Sequence, residues 1–173
     1  MPNHVVNEVI WSALTAEQQS TILSGVLNAD GKVDFELLVP IPLNVWLGNV
    51  GRAEARLGFN ALDWCRQHWG TKWNAYSQRP AEVGEDAIRL VFETAWSPPY
   101  GWLVALLNRF QLPFDHNWHD EGGEIGRVGR FEPFSTREHG PLWRESPATG
   151  AMQRHLHKLQ WGVETSAELE SAP

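Results

Sequence analysis

The stretch from Ile88 to Phe110 constrains the fold of this chain more than any other. Ile88, Leu90, Phe92, Thr94 and Trp96 recur at every second position, the period of a strand with one face buried. Ser97-Pro98-Pro99 then breaks the alternation. Ser97 is expected to cap the helix that follows, with Pro98 at the tolerated first position. Trp102, Leu103, Leu106, Leu107 and Phe110 come next at helical spacing. A strand turning tightly into an amphipathic helix, with large rings on both, places the chain among sheets that carry packed helices.

The flanking sequence extends this pattern. Val5 to Trp11 alternates and predicts a first strand. Thr15-Ala16-Glu17-Gln18 has capping-box spacing ahead of an apolar stripe at Ile22, Leu23, Val26 and Leu27. Val33 to Val39 predicts a second strand, stopped by Pro40 and Pro42, which cannot donate to a ladder. Residues 43–58 contain Gly48, Gly51 and Gly58 and predict a loop with short helical turns. Asn60 is placed to cap a helix carrying Leu62, Cys65 and Trp69 on one face and ending at Gly70. Trp73 to Tyr76 predicts a short strand. Phe114, His116 and Trp118 share one face of a further strand, Glu121-Gly122-Gly123-Glu124 predicts a hairpin, and Ile125 to Phe131 the return. Beyond Pro133 the periodicity fades, apart from a short helix at Met152–Trp161 that would pack Leu156 and Leu159, and a loose acidic tail from Thr165. The expected architecture is α+β: a ferredoxin-like mixed or antiparallel sheet with helices packed on one face over residues 1–131, followed by an irregular extension over 132–173.

Composition bounds the function. Ten tryptophans in 173 residues can serve both as core and as contact surface. The net charge is −7, unevenly spread: residues 1–126 carry 8 basic and 15 acidic side chains, whereas residues 127–158 carry 6 basic and 3 acidic. An acidic body repels phosphate backbones, which argues against general nucleic-acid binding and favours a basic partner. The single cysteine, Cys65, excludes an internal disulfide. With no charged region leading an apolar run at the N-terminus and no long apolar stretch, the expected location is the cytoplasm, with no membrane partner.

Four polar groupings are candidates for chemistry. His116, His119, Asp120, Glu121 and Glu124 offer ligand types suited to a divalent ion, but the odd spacing of the two histidines sends them to opposite faces of a strand, so no metal site is assigned. Cys65 and His68 could meet on a helix, but Cys65 falls on the apolar stripe, the position of a structural thiol. Arg154, His155, His157 and Lys158 form a basic helix face. Lys72 and Asn74 lie among Trp69, Trp73 and Tyr76, where rings could stack bases and Lys72 could meet phosphate, or where the rings could simply fill a helix–sheet interface. No catalytic residue is assigned. Lys72, Trp73, Asn74, Tyr76, Trp118, Asp120, Glu121 and Glu124 are the candidate binding residues.

Met1-Pro2-Asn3-His4-Val5, Val33-Asp34-Phe35 running to Val39-Pro40-Ile41-Pro42, Trp69-Gly70-Thr71-Lys72-Trp73-Asn74-Ala75 and Thr94-Ala95-Trp96-Ser97-Pro98-Pro99 occur in that order. Together with the acidic turn Asp120-Glu121-Gly122 and Gly126, they resemble the YubB-like ferredoxin-like domain proteins of phages and conjugative plasmids over roughly residues 1–131. The resemblance implies a ferredoxin-like topology and a mobile-element origin. It implies no iron–sulfur cluster and no other cofactor, and it transfers no catalytic residues. The expectation is therefore a non-enzymatic accessory protein of a phage or mobile element that binds a host protein or protein–nucleic-acid complex, with inhibition of a defence complex such as CRISPR-Cas as one such role. The alternative is a single-stranded nucleic-acid-binding module that uses the aromatic and basic residues. An enzyme is the third expectation, to be recognised by a pocket joining His116 or His119 to the acidic turn.

Overall fold

In the computed structural model, which describes residues 3–48, 60–133 and 142–162, six strands form one antiparallel sheet. They are β1 (His4–Trp11), β2 (Glu82–Val83), β3 (Ile88–Ala95), β4 (Phe114–Asp120), β5 (Arg127–Glu132) and β6 (Leu142–Pro147), in the order β2-β3-β1-β4-β5-β6. The helices are α1 (Ala16–Val26), α2 (Ala61–His68), α3 (Tyr100–Phe110) and α4 (Gly150–Trp161). β1 lies in the middle. It pairs with β3 from His4↔Ala95 to Trp11↔Ile88, and with β4 from Val5↔Asp120 to Ile10↔Asp115. β3, α3 and β4 thus make a split β-α-β unit with β1 inserted between its two strands. The fold class is the one expected from the sequence: a ferredoxin-like α+β sheet with a C-terminal extension.

Alternation along the strands assigns each side chain to a face. Val9, Trp11, Ile88, Leu90, Phe92, Phe114 and Phe131 face the layer of α1 and α3 and form the main core. Phe35 sits at its centre, tilted against Trp102 at 4.6 Å and edge-on to Trp69 and Phe92. The other face carries Val6, Glu8, Val91, Asn117 and His119, covered by α4, whose Leu156 and Leu159 pack on Val6 and Val91. The short helix expected at Met152–Trp161 is present. It lies across the back of the sheet, opposite the other helices.

Local chemistry explains where expectation and structure agree. Thr15 accepts from Gln18 N while the Gln18 side chain accepts from Thr15 N, completing the capping box. Asn60 accepts from Asp63 N and caps α2.

Three expected elements differ. Val33 makes only an isolated bridge to Leu27, and Phe35–Leu37 is a 3-10 turn. Asp34 accepts from Glu36 N and from the Asn74 side chain, which turns the chain and drives Phe35 into the core. Residues 73–76 form turns with a single bridge, Tyr76↔Glu93, because Asn74 spends its side-chain oxygen on the amides of Phe35 and Ala75. Ser97 does not cap α3. Its hydroxyl donates to the Gly70 carbonyl, and the helix starts after Pro99 with no side-chain cap.

α2 crosses α3 where a Cβ at Gly101 would lie 2.1 Å from the His68 carbonyl oxygen, so only glycine permits this approach. Gly70, at φ +88, turns the chain immediately after α2. The expected loop at 43–58 falls partly, and the acidic tail from Thr165 wholly, outside the described residues. No helix among the described residues is long and apolar enough to cross a membrane.

Candidate interaction surface

The Gly101 crossing fixes the end of α2 and the 70–73 turn against the end of β3. Thr71 ties them together: its hydroxyl donates to Ala95 O at 2.9 Å and accepts from Ala95 N at 3.2 Å. The next residue, Trp96, adopts φ +75, a region that a bulky side chain rarely occupies. Its amide donates to Asn3 O on one side, and Ser97 bonds Gly70 on the other. Held from both flanks, the indole projects outward and is 45% exposed.

Around it the structure assembles a cationic-aromatic ladder. Lys72 Nζ lies 4.5 Å from the Trp96 ring and 4.5 Å from the Trp73 ring, and the Arg66 guanidinium lies 4.7 Å from Trp96. These are cation–π distances. Trp73, 39% exposed, continues edge-on to Tyr76 at 6.2 Å. The Tyr76 hydroxyl donates to Thr94 O and lies 2.8 Å from His4 Nδ1, which is 3.3 Å from the Glu93 carboxylate. Burial, followed by the charges of Glu93 and Glu121, pushes the Tyr76 phenol up to about 12, so it stays a neutral donor at neutral pH. A groove of about 510 Å³, lined by Leu62, Cys65, Trp69, Lys72, Trp73 and Asn74, runs beside the ladder.

The expected binding residues therefore separate. Lys72, Trp73 and Tyr76 come together on this surface. Asn74 borders the groove, with its amide committed to the turn. Asp120 and Glu121 sit at the same end of the sheet: Asp120 accepts from Gly122 N and the Asn3 side chain, and Glu121 N donates to His4 O. The Glu124 carbonyl accepts from Gln153 of α4. Trp118 lies elsewhere, donating to Glu145, which also accepts from Tyr100. Trp96 and Arg66 were not among the binding residues expected from the sequence. The available signal for Trp96 was its place as the last residue of a strand just before Ser-Pro-Pro, where the chain must turn.

The remaining polar groupings take structural positions. His116 and His119 fall on opposite faces, as their spacing dictates. His116 is fully buried beside Asn7 Oδ1 at 3.1 Å, and burial pushes its pKa down to about 3, against a smaller opposing pull from Glu8. His119 packs under α4 with its ring centroid 6.2 Å from that of His157. Burial first, then the charge of His157, lowers its pKa. Cys65 is buried, and desolvation followed by Glu36 pushes its thiol up to about 11. His68 turns away from Cys65, stacking on Trp64 at 4.3 Å and bonding Trp64 O.

Residues 72–132 match the family model described as the ferredoxin-like domain in Api92-like protein. The match begins at Lys72, spans β2, β3, α3, β4 and β5, and so contains the whole split β-α-β unit, while β1 comes from outside it. The chain thus carries a ferredoxin-like domain. Neither the curated proteins nor the solved structures gave a match.

Proposed function

We propose that this protein is a binding module that docks a protein partner through the Trp96–Lys72–Trp73 ladder and Arg66. One observation carries this proposal: two indoles remain exposed at one corner, with a lysine held between them, and one of the two is kept outward by a backbone conformation costing on the order of 1–3 kcal/mol. Tryptophan and arginine dominate binding hot spots, because they combine large apolar area with directed polar contacts. The neighbouring Asp120 and Glu121 divide the surface into a cationic-aromatic part and an acidic part, which would fix the orientation of the partner. A mobile-element origin with a host protein as partner, including a component of a defence complex, fits the sequence resemblance and the acidic body. The test is affinity capture from the lysate of the native host, with wild type beside a Trp73→Ala, Trp96→Gly double variant. A partner retained by wild type and lost from the double variant supports the proposal; equal retention refutes it.

Single-stranded nucleic acid is the second proposal, favoured by the alternation of rings with cations. It requires binding of a short oligothymidine that weakens steeply with salt. No binding at low salt removes it.

A further inference from the structure

The back of the sheet carries a second feature, at the other end of β1 from the tryptophan ladder. A cleft of about 550 Å³ opens between the β5–β6 ribbon and the first turn of α4, a volume suited to a small organic ligand. Its apolar floor is Ile10, Val128 and Met152, and its polar rim includes Asp115, Asn117, Ser146 and Thr149.

Arg130 and Arg144 also line it, and they stand directly opposite each other in the β5–β6 ladder. Like charges in that relation repel. Arg130 is neutralised by Asp115 at 2.8 Å and Glu132 at 3.4 Å. The Arg144 side chain has no hydrogen bond or ion pair among the described residues. A guanidinium left over beside a neutralised one is a ready receptor for a bidentate oxyanion.

The start of α4 adds to this without carrying it. Thr149 lines the cleft as the N-cap, yet its hydroxyl makes no capping bond and the first turn has no acidic residue. α1 and α2, by contrast, have both a side-chain cap and an acid in the first turn. The Arg144 guanidinium and the unused Thr149 hydroxyl thus border the same cleft.

We infer that this cleft binds a phosphomonoester of nucleotide size. Arg144 takes the phosphate, with the Thr149 hydroxyl beside it. Ile10, Val128 and Met152 receive the apolar face of the organic body, and Asp115 and Asn117 accept its donors. The site is on the opposite face of the sheet from the proposed protein-docking surface and stands or falls independently of it.

The test is a titration of the full chain with adenosine 5′-monophosphate, adenosine and inorganic phosphate, followed by ¹H–¹⁵N NMR at the Gly150 and Ala151 amides and the Arg144 Nε. Adenosine monophosphate should shift these signals with a Kd of about 1 mM or below, with adenosine and inorganic phosphate each weaker by about tenfold. Arg144→Ala should weaken binding by about tenfold and Arg144→Lys by less, because a lysine keeps the charge but loses the fork. Arg144 is exposed on an edge strand, so both variants should fold, and unchanged dispersion of the core resonances verifies this. No shift at about 10 mM adenosine monophosphate, adenosine binding as tightly as its phosphate, or full affinity in Arg144→Ala would each overturn the assignment. A short oligothymidine that binds these residues about a hundredfold more tightly than the monophosphate would replace the small ligand with a nucleic-acid strand.

Discussion

The two faces of the sheet are held by different forces. On the front, α1 and α3 bury Trp11, Phe35, Phe92, Trp102, Phe114 and Phe131 in a nearly continuous aromatic layer. On the back, α4 runs along β1 and is fastened mainly by polar groups. Glu8, 2% exposed, accepts from Arg89 at 2.7 Å, from Asn117 at 2.9 Å, and sits 2.8 Å from His155 Nε2. Gln160 accepts from Val6 N, Arg79 donates to Leu159 O, and Gln153 bonds both Gly126 N and Glu124 O. Burial works against the Glu8 charge, but the hydrogen bonds from Asn117, His155 and Arg89 outweigh it and hold the carboxyl below the usual carboxylate range. An aromatic layer is insensitive to pH and salt, whereas a buried ion network answers to both. The front should therefore hold through changes of salt, with a pH dependence set by His116 buried in its layer, and the back should answer to both salt and pH.

The sharpest way to break the contrast is to empty the front. Trp102→Ala should destabilise the protein by about 3–5 kcal/mol, as large core truncations do, measured by urea denaturation at neutral pH. An effect below that of the back-face variant described next would reverse the assignment of the two faces.

Glu8→Ala should remove about 2–3 kcal/mol, less than a fully buried pair because Arg89 reaches solvent. The loss should concentrate in α4, seen as faster amide exchange at Leu156 and Leu159 with little change at Trp102. In wild type the same contribution is present above the unfolded carboxylate pKa and disappears as pH falls below that range, since the folded pKa is the depressed one.

Histidine burial adds a separate pH response. His116, with its folded pKa near 3, stays neutral while the unfolded chain takes up a proton near 6.5. Stability is then fully present above about pH 6.5 and falls by up to about 1.4 kcal/mol per unit as pH drops toward 3. His116→Gln should flatten that slope in urea titrations between those limits. An unchanged slope would place the titration elsewhere.

The smallest expected effect is at the exposed corner. Trp96→Gly should change stability by no more than about 1 kcal/mol, because relief of the positive φ offsets the lost indole contacts, as measured by urea denaturation. Combined with Trp73→Ala, the same substitution should abolish partner capture.

Much of the scaffold was legible because strong periodicity reports burial directly. Ile88–Trp96, Val5–Trp11 and Trp102–Phe110 gave β3, β1 and α3 within a few residues, and the caps at Thr15 and Asn60 formed as their local chemistry requires. What escaped depended on distant residues. Val33–Val39 has the composition of a strand, but Asp34 finds Asn74 forty residues away and the chain bends into a 3-10 turn. Ser97 resembles a cap in its local sequence, yet Gly70 takes its hydroxyl. The proposed docking surface was half legible for the same reason. Lys72, Trp73 and Tyr76 belong to one conspicuous run, whereas Arg66 and Trp96 join them only through the α2–α3 crossing. The Glu8–Arg89–His155 network spans nearly the whole described chain, and nothing in local spacing announces it.

The place of β1 has a consequence for how the protein is made. The central strand is synthesised before either of its neighbours, Ile88–Ala95 and Phe114–Asp120. Until then Val5, Val9 and Trp11 have no sheet to enter. Pairings so remote in sequence make for slow closure, and the nascent chain carries a sticky apolar strand until those neighbours are made.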